Sequence, residues 1–279
     1  MNEVRQASQT AQESRTTGVH APTISLPKGG GAIRGIGEKF AANPVTGTCS
    51  MSVPIATSPG RSGFGPQLSL TYDSGTGNGP FGFGWQLSLP AITRKTDKGL
   101  PLYRDGEESD VYILSGADDL LPVFRQDHDG TWTAGHPGYR RDAGQFWVYD
   151  EAGHLVIHEE ESDGYRIRRY RPRVEGLFAR IERWTSVETG EIHWRSISRD
   201  NVTTWYGNDD KSRVFDPDDR NRAHPTRIFS WLISNSYDDK GNAIVYRYVE
   251  ENDENIDLGI ANERNRVRTA NRYLKRILY

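Results

Sequence analysis

From Ser52 onward, apolar and polar residues alternate with a period of two. Over residues 67–72, Leu68, Leu70 and Tyr72 share one face and Gln67, Ser69 and Thr71 the other. Trp85, Leu87 and Leu89 repeat the pattern in WQLSLP. Such alternation predicts half-buried strands. Further alternating segments lie at 111–115, 145–150, 154–159, 165–170, 191–198 and 243–248. They are joined by turn chemistry: DHDG at 127–130, DEAG at 150–153, SDG at 162–164, ETG at 188–190 and DDKG at 238–241. Aspartate bonds the backbone two residues on, and glycine takes the left-handed position. Strands spaced this way predict an all-β fold, an antiparallel meander of hairpins with little helix. No strand–helix alternation occurs, which excludes a parallel α/β sheet.

Between the first two strands lies DSGTGNGPFGFG (73–84), with five glycines in twelve residues. That density predicts a tight connection, with Phe81, Phe83 and Trp85 packed against a sheet. Residues 1–20 are polar and predict a disordered arm, followed by an irregular lead-in containing a GGG run at 29–31. The stretch 250–271 is polar, lacks alternation and has room for a short helix. RYLKRILY then sets Tyr273, Lys275, Ile277 and Tyr279 on one face and Leu274, Arg276 and Leu278 on the other. Apolar surface on both faces of a last strand predicts a neighbour not present in the sequence, so the chain is expected to be a fragment of something longer.

Composition narrows the function. The chain has 279 residues, 35% hydrophobic and 26% charged, with 7 Trp, 13 Tyr and 9 Phe to fill a core. A net charge of -3 argues against nucleic-acid binding. The single cysteine, Cys49, excludes an internal disulfide and a Cys-based zinc site. No apolar run reaches the roughly 20 residues of a membrane helix, so no membrane insertion is expected. The N-terminus has no apolar core of a secretory signal. The chain is therefore expected to be cytosolic, or exported without such a signal.

No constellation assigns a catalytic, cofactor-binding or metal-ligating residue. Glu159, Glu160 and Glu161 lack the Ser-Thr-Ser strand that ADP-ribosyl transfer would need, and read as a solvated hairpin end. Asp127-His128-Asp129-Gly130 starts like a calcium loop, but Thr131 and Gly138 stand where ligands are required. Asp216-Pro217-Asp218-Asp219 sits near Arg213, Arg220 and Arg222, which reads as surface ion pairing. His154 and His158 are four apart in a predicted strand, roughly 13 Å, too far for a shared zinc ion. Gly79, Gly82 and Gly84 lack the strand–loop–helix order of a phosphate cradle. Arg166, Arg168, Arg169, Arg171 and Arg173, interleaved with Tyr165 and Tyr170, follow an acidic turn and predict cross-strand Arg–Glu pairs.

The run VPIATSPGRSGFGPQLSLTYDSGTGNGPFGFGWQLSLPAITRKTDKGLPLY (53–103) resembles the N-terminal domain of the SpvB family, Salmonella virulence plasmid B proteins, which also opens the B components of Tc insecticidal toxin complexes. ERNRVRTANRYLKRILY (263–279) is similar to the end of that domain. The resemblance implies a structural domain, residues 21–279, forming part of a β shell that encloses or presents a cytotoxic effector. It implies no cofactor. The implied partners are downstream domains of the same polypeptide, a Tc C-type (Rhs-repeat) protein and an A-type pore component. It also implies a protein made in the bacterial cytoplasm and secreted without a Sec signal peptide. YDEAGHLV (149–156) and YDDKGNAIVYRY (237–248) look like isolated Tyr-Asp repeat units. Two rivals remain: a domain preceding an ADP-ribosyltransferase that modifies actin, and a glycan- or host-surface-binding module using Trp132 or Trp205.

Overall fold

A computed structural model of the chain describes residues 39–42, 47–115, 119–127, 139–142, 145–219 and 226–279. The predicted arm at 1–20, the turn residues 128–130, Trp132, Arg220 and Arg222 lie outside these residues. Strands are numbered in chain order. The N-terminal part contains β1 (Lys39–Ala42), β2 (Cys49–Ile55), β3 (Leu68–Asp73), β4 (Asn78–Gly79), β5 (Gly82–Phe83) and β6 (Trp85–Leu87). Here β1-β2-β3-β6 form one antiparallel sheet, and β4–β5 is a miniature hairpin within the β3–β6 connection.

The main sheet begins with β7 (Ala91–Arg94), β8 (Tyr112–Leu114) and β9 (Asp119–Pro122). A side sheet follows, made by β10 (Gln126–Asp127), β11 (Tyr139–Asp142) and β12 (Gln145–Val148). The main sheet resumes with β13 (Glu159–Ser162), β14 (Tyr165–Pro172), β15 (Arg180–Ser186), β16 (Ile192–Ile197) and β17 (Thr203–Tyr206). It ends with β18 (Arg213–Phe215), β19 (Ile228–Tyr237), β20 (Ala243–Glu250) and β21 (Arg272–Leu278).

The ten-residue β19 turns this sheet into a barrel. Its first half pairs with β7, Trp231 opposite Ile92. Its second half pairs with β17, Thr203 opposite Tyr237 and Tyr206 opposite Ile233, across a register shift between Trp205 and Tyr206. The order β7-β8-β9-β14-β15-β16-β17-β19 therefore closes on itself. Closure removes free edges, and an eight-stranded interior is just wide enough for side chains to fill. Tyr112, Tyr170, Trp194 and Trp231 fill it, with ring centroids 4.9 Å apart for Tyr112–Trp194 and Tyr170–Trp194 and 5.9 Å for Trp194–Trp231. These edge-to-face contacts join Ile92, Leu120, Ile181 and Ile192 in one buried core. The Trp231 indole N–H donates to the Ile192 carbonyl at 2.8 Å.

The predicted turns form as their residues dictate. Asp163 (φ 51°) and Gly164 (φ 79°) make the two-residue β13–β14 turn. In the two Tyr-Asp units, Asp150 and Asp238 accept backbone N–H bonds from His154 and Asn242, and Gly153 and Gly241 hold φ of 83° and 81°. Strand β21 forms and pairs with β20; no other strand among the described residues pairs with it.

Three expectations are corrected. Segment 154–159 enters a named strand only at Glu159, where β13 begins; before it, Leu155 and Ile157 make single bridges to Tyr149 and Phe124. Its backbone bonds are split between Val123 and Arg125 on one side and Val148 on the other, so no continuous ladder develops. Phe81 and Phe83 are 51% and 65% exposed, because the β4–β5 hairpin turns them outward; Trp85 alone packs, 5.3 Å from the Tyr72 ring. Residues 251–271 form successive turns rather than a helix, and the only helical turns among the described residues are 3₁₀ segments at Arg61–Gly63 and Asp210–Ser212.

Candidate functional site: the charged mouth of the barrel

The connection between β7 and β8 folds back so that its acidic run, YRDGEESD (103–110), meets arginines projecting from the barrel strands. Arg94 donates to both Asp105 carboxylate oxygens at 2.7 and 2.9 Å, to Asp110 at 2.7 Å and to the Ile228 carbonyl at 2.7 Å. Its guanidinium lies 4.7 Å from the Tyr103 ring centre. Glu108 accepts from Arg168 at 2.5 Å, Arg183 at 2.7 Å and the Tyr170 hydroxyl at 2.7 Å. Arg183 also donates to the Tyr112 hydroxyl and the Asp105 carbonyl, both at 3.1 Å, and the Tyr112 hydroxyl donates to Asp105 at 2.5 Å. Tyr103, whose N–H donates to Asp110 at 2.9 Å, and Glu108 sit at φ of 57° and 51°, left-handed conformations that cost about 1–3 kcal/mol each.

Burial and these partners set the protonation of Asp105, the two phenols and the two buried guanidiniums. Burial disfavours the ionised Asp105, but the bonds and charge of Arg94, with Tyr112 and Arg183, overcome it and hold the carboxyl below its usual range. Burial pushes the Tyr112 and Tyr170 phenols well upward against the opposing pull of Arg183. Arg94 and Arg183 are raised despite burial, Arg94 by Asp105, Tyr112 and Asp110, and Arg183 by Tyr170, Tyr112, Glu108 and Asp105. The guanidiniums therefore stay charged, Asp105 stays ionised and the phenols stay neutral near pH 7. These contacts tie the β7–β8 connection to the barrel strands as a latch. Two cavities open at this mouth, one of about 240 Å³ beside Arg166, Arg168 and Arg183 and one of about 750 Å³ beside Arg168, Glu159 and His158. The first is below, and the second within, the roughly 300–1,000 Å³ of pockets for drug-sized ligands.

The sequence reading did not single out Arg94, Asp105, Glu108 or Arg183. The one available signal was YRDGEESD itself, an acidic run beside a strand ending in arginine. The arginine cluster behaves as predicted where its register allows: Glu159 faces Arg168 and bonds it at 2.5 Å, and Glu160 bonds Arg169 at 2.9 Å. Arg173 reaches Asp119 at 3.1 Å instead. Arg213 is not a surface partner of Asp216. It is 4% exposed and bonds Glu191 at 2.7 Å and Asp210 at 3.1 Å, while Asp216 pairs with Arg227. Asp219 accepts from the backbone of Thr226 and Arg227. His154 sits 3.4 Å from Asp150, and His158 sits 3.6 Å from Glu160. Trp205 is half-buried on the outer face, its ring beside the Arg195 guanidinium, which also lies 4.6 Å from the Trp184 ring centre. Between these rings Glu182, fully buried, accepts from Trp184 at 3.0 Å and from Arg195 at 2.8 Å.

The fold has known counterparts. The family described as Salmonella virulence plasmid 65kDa B protein, SpvB, matches residues 43–279, and the chain belongs to that family. It is 32% identical over 255 residues to the mono(ADP-ribosyl)transferase SpvB of Salmonella choleraesuis (strain SC-B67), covering 91% of this chain and 37% of that protein. The chain thus spans little more than a third of this relative's length. Among solved structures, it is similar to TcdB2-TccC3, with a TM-score of 0.64 and 28% identity over 91% of this chain and 11% of that one. The Photorhabdus luminescens Tc holotoxin pore matches with a TM-score of 0.63 and 28% identity, over 91% and 10% of the two chains. The N-terminal domain of effector protein SpvB from Salmonella typhimurium strain LT2 matches with a TM-score of 0.57 and 28% identity, over 81% and 63%. The fold is therefore that of the SpvB N-terminal domain and of the corresponding part of Tc toxin components.

Proposed function

We propose that this domain is a non-enzymatic wall element of a bacterial toxin, part of a β shell that encloses or presents an effector. The observation that carries this reading is the filled barrel. Its interior is filled by four large rings, and its mouth is covered by a latch of arginine–carboxylate pairs. Similarity to TcdB2-TccC3 supports partners of the Tc type: later domains of the same polypeptide, a C-type Rhs-repeat protein and an A-type pore component. On this reading the protein is made and assembled in the bacterial cytoplasm and exported without a Sec signal peptide. Any ADP-ribosyl transfer would belong to sequence outside the matched third of the transferase relatives.

The test is incubation of the purified chain with labelled NAD and a eukaryotic cell lysate. The expected result is label at background. Transfer above background that disappears in Glu159→Gln or Glu161→Gln, with folding intact, would overturn the reading.

A further inference from the structure

On the outer face of the barrel, the start of β14, the β15–β16 turn and the 3₁₀ turn at Asp210–Ser212 enclose a second cavity, of about 440 Å³. Four carboxylates, Glu188, Glu191, Asp209 and Asp210, line it against one guanidinium, Arg213. Arg213 is shared between Glu191 and Asp210, and Asp209 caps the 3₁₀ turn through the Ser212 N–H at 2.8 Å. Glu188 has no ion pair among the described residues. Among the described lining residues, carboxylates therefore outnumber cationic side chains.

The second observation is independent of that charge. His193 also lines the cavity and is only 7% exposed. It is stacked on Trp184 at an interplanar angle of 26° and met edge-on by Tyr165 at 5.2 Å. Its ring nitrogens have no hydrogen-bond partner among the described residues. The ring is nine-tenths buried but its nitrogens are not sealed from solvent, so a donor arriving in the cavity can reach them. No group of three or more His, Cys, Asp or Glu side chains among the described residues is placed to hold a metal ion. The complementary ligand is therefore an organic cation.

We propose that this cavity binds a protonated amine, which donates to the His193 imidazole and to carboxylates of the rim and lies against the Tyr165 ring. An ammonium group has three donors and no acceptor, matching an acceptor nitrogen and a ring of carboxylate oxygens. Aromatic faces beside it add cation–π attraction. Burial first, and Arg213 second, keep His193 neutral and so able to accept. The amine could come from a free polyamine or from a lysine side chain, and the probes separate the two.

Spermidine and Nα-acetyl-lysine amide are titrated into the intact chain, followed by calorimetry and by the imidazole ¹⁵N shifts of His193. Saturable binding that moves those shifts is expected. Binding of spermidine alone assigns a free polyamine, and binding of the lysine amide assigns a lysine. Glu188→Gln, an exposed position, should weaken binding about fivefold, and His193→Phe should abolish it. Should His193→Phe fail to fold, Glu188→Gln and the wild-type shifts decide. The proposal is overturned by an absence of saturable binding, by equal binding to Glu188→Gln, or by displacement of the amine by equimolar calcium chloride.

Discussion

Removing the Glu108 carboxylate tests the latch most sharply. Glu108→Ala takes one partner from Arg168, one from Arg183 and the only hydrogen-bond acceptor of the Tyr170 hydroxyl among the described residues. Arg183 and Tyr170 are 2% and 3% exposed, so water does not readily replace what is lost. Breaking a buried ion pair costs about 3–5 kcal/mol, and a stranded hydroxyl about 1–3 kcal/mol. Two features reduce the sum. Arg183 keeps the Tyr112 hydroxyl and the Asp105 carbonyl, and the Glu108 side chain is itself 16% exposed. The expected loss is about 3 kcal/mol. Alanine does not relieve the positive φ at this position, so strain does not offset the loss. Urea unfolding followed by tryptophan fluorescence reads it, since Trp194 and Trp231 are fully buried near the latch. The Glu108→Ala/Arg183→Met double variant should lose less than the two single losses combined, because the uncompensated guanidinium is gone. A loss under about 1 kcal/mol for Glu108→Ala would refute the latch, as would strict additivity in the double variant.

Two further predictions concern single residues. His193, facing Tyr165, Trp184, Trp205, Arg195, Glu191 and Arg213, is lowered by burial and then Arg213 to about 4 from 6.5. Because the unfolded state takes up the proton first, stability is full above pH 6.5 and falls by about 3 kcal/mol between pH 6.5 and pH 4; a flat urea midpoint across that window would contradict the assignment. The glycine block separates into two effects: a Cβ on Gly84 would meet the Tyr72 ring at 2.6 Å and the Asp73 carbonyl at 2.9 Å, whereas Gly82 (φ 103°) faces open space. Gly84→Val should therefore cost about 3 kcal/mol, and Gly82→Val only its backbone strain, about 1 kcal/mol; equal melting temperatures for the two variants would reject this distinction.

The hairpins were legible because their information is local. Asp163-Gly164 and the two Tyr-Asp turns carry their geometry within four or five residues, and the alternation of β3, β14 and β20 needs only a neighbour on one face. The Glu159–Arg168 pair followed from the turn between them. Barrel closure was not legible, since it depends on β19 meeting both β7 and β17, and the Ser230–Thr93 contact spans 137 positions. The latch was hidden for the same reason. Arg183, Asp105 and Glu108 look like surface residues in sequence, and only the closed ring buries them together. Phe81 and Phe83 misled because ring-rich, glycine-rich sequence usually packs, whereas here a two-residue hairpin points both outward.

The account depends on a closed, rigid barrel: a wall element must stay shut, and a catalytic cleft in its interior would have to open. Hydrogen exchange along the seam measures this directly. The account predicts that amides of β19, bonded to β7 on one side and β17 on the other, exchange only with global unfolding and as slowly as those of β14 to β16. Fast exchange in β17 and β19 while β14 to β16 stay protected would show an open sheet with an accessible interior, and would contradict the wall role.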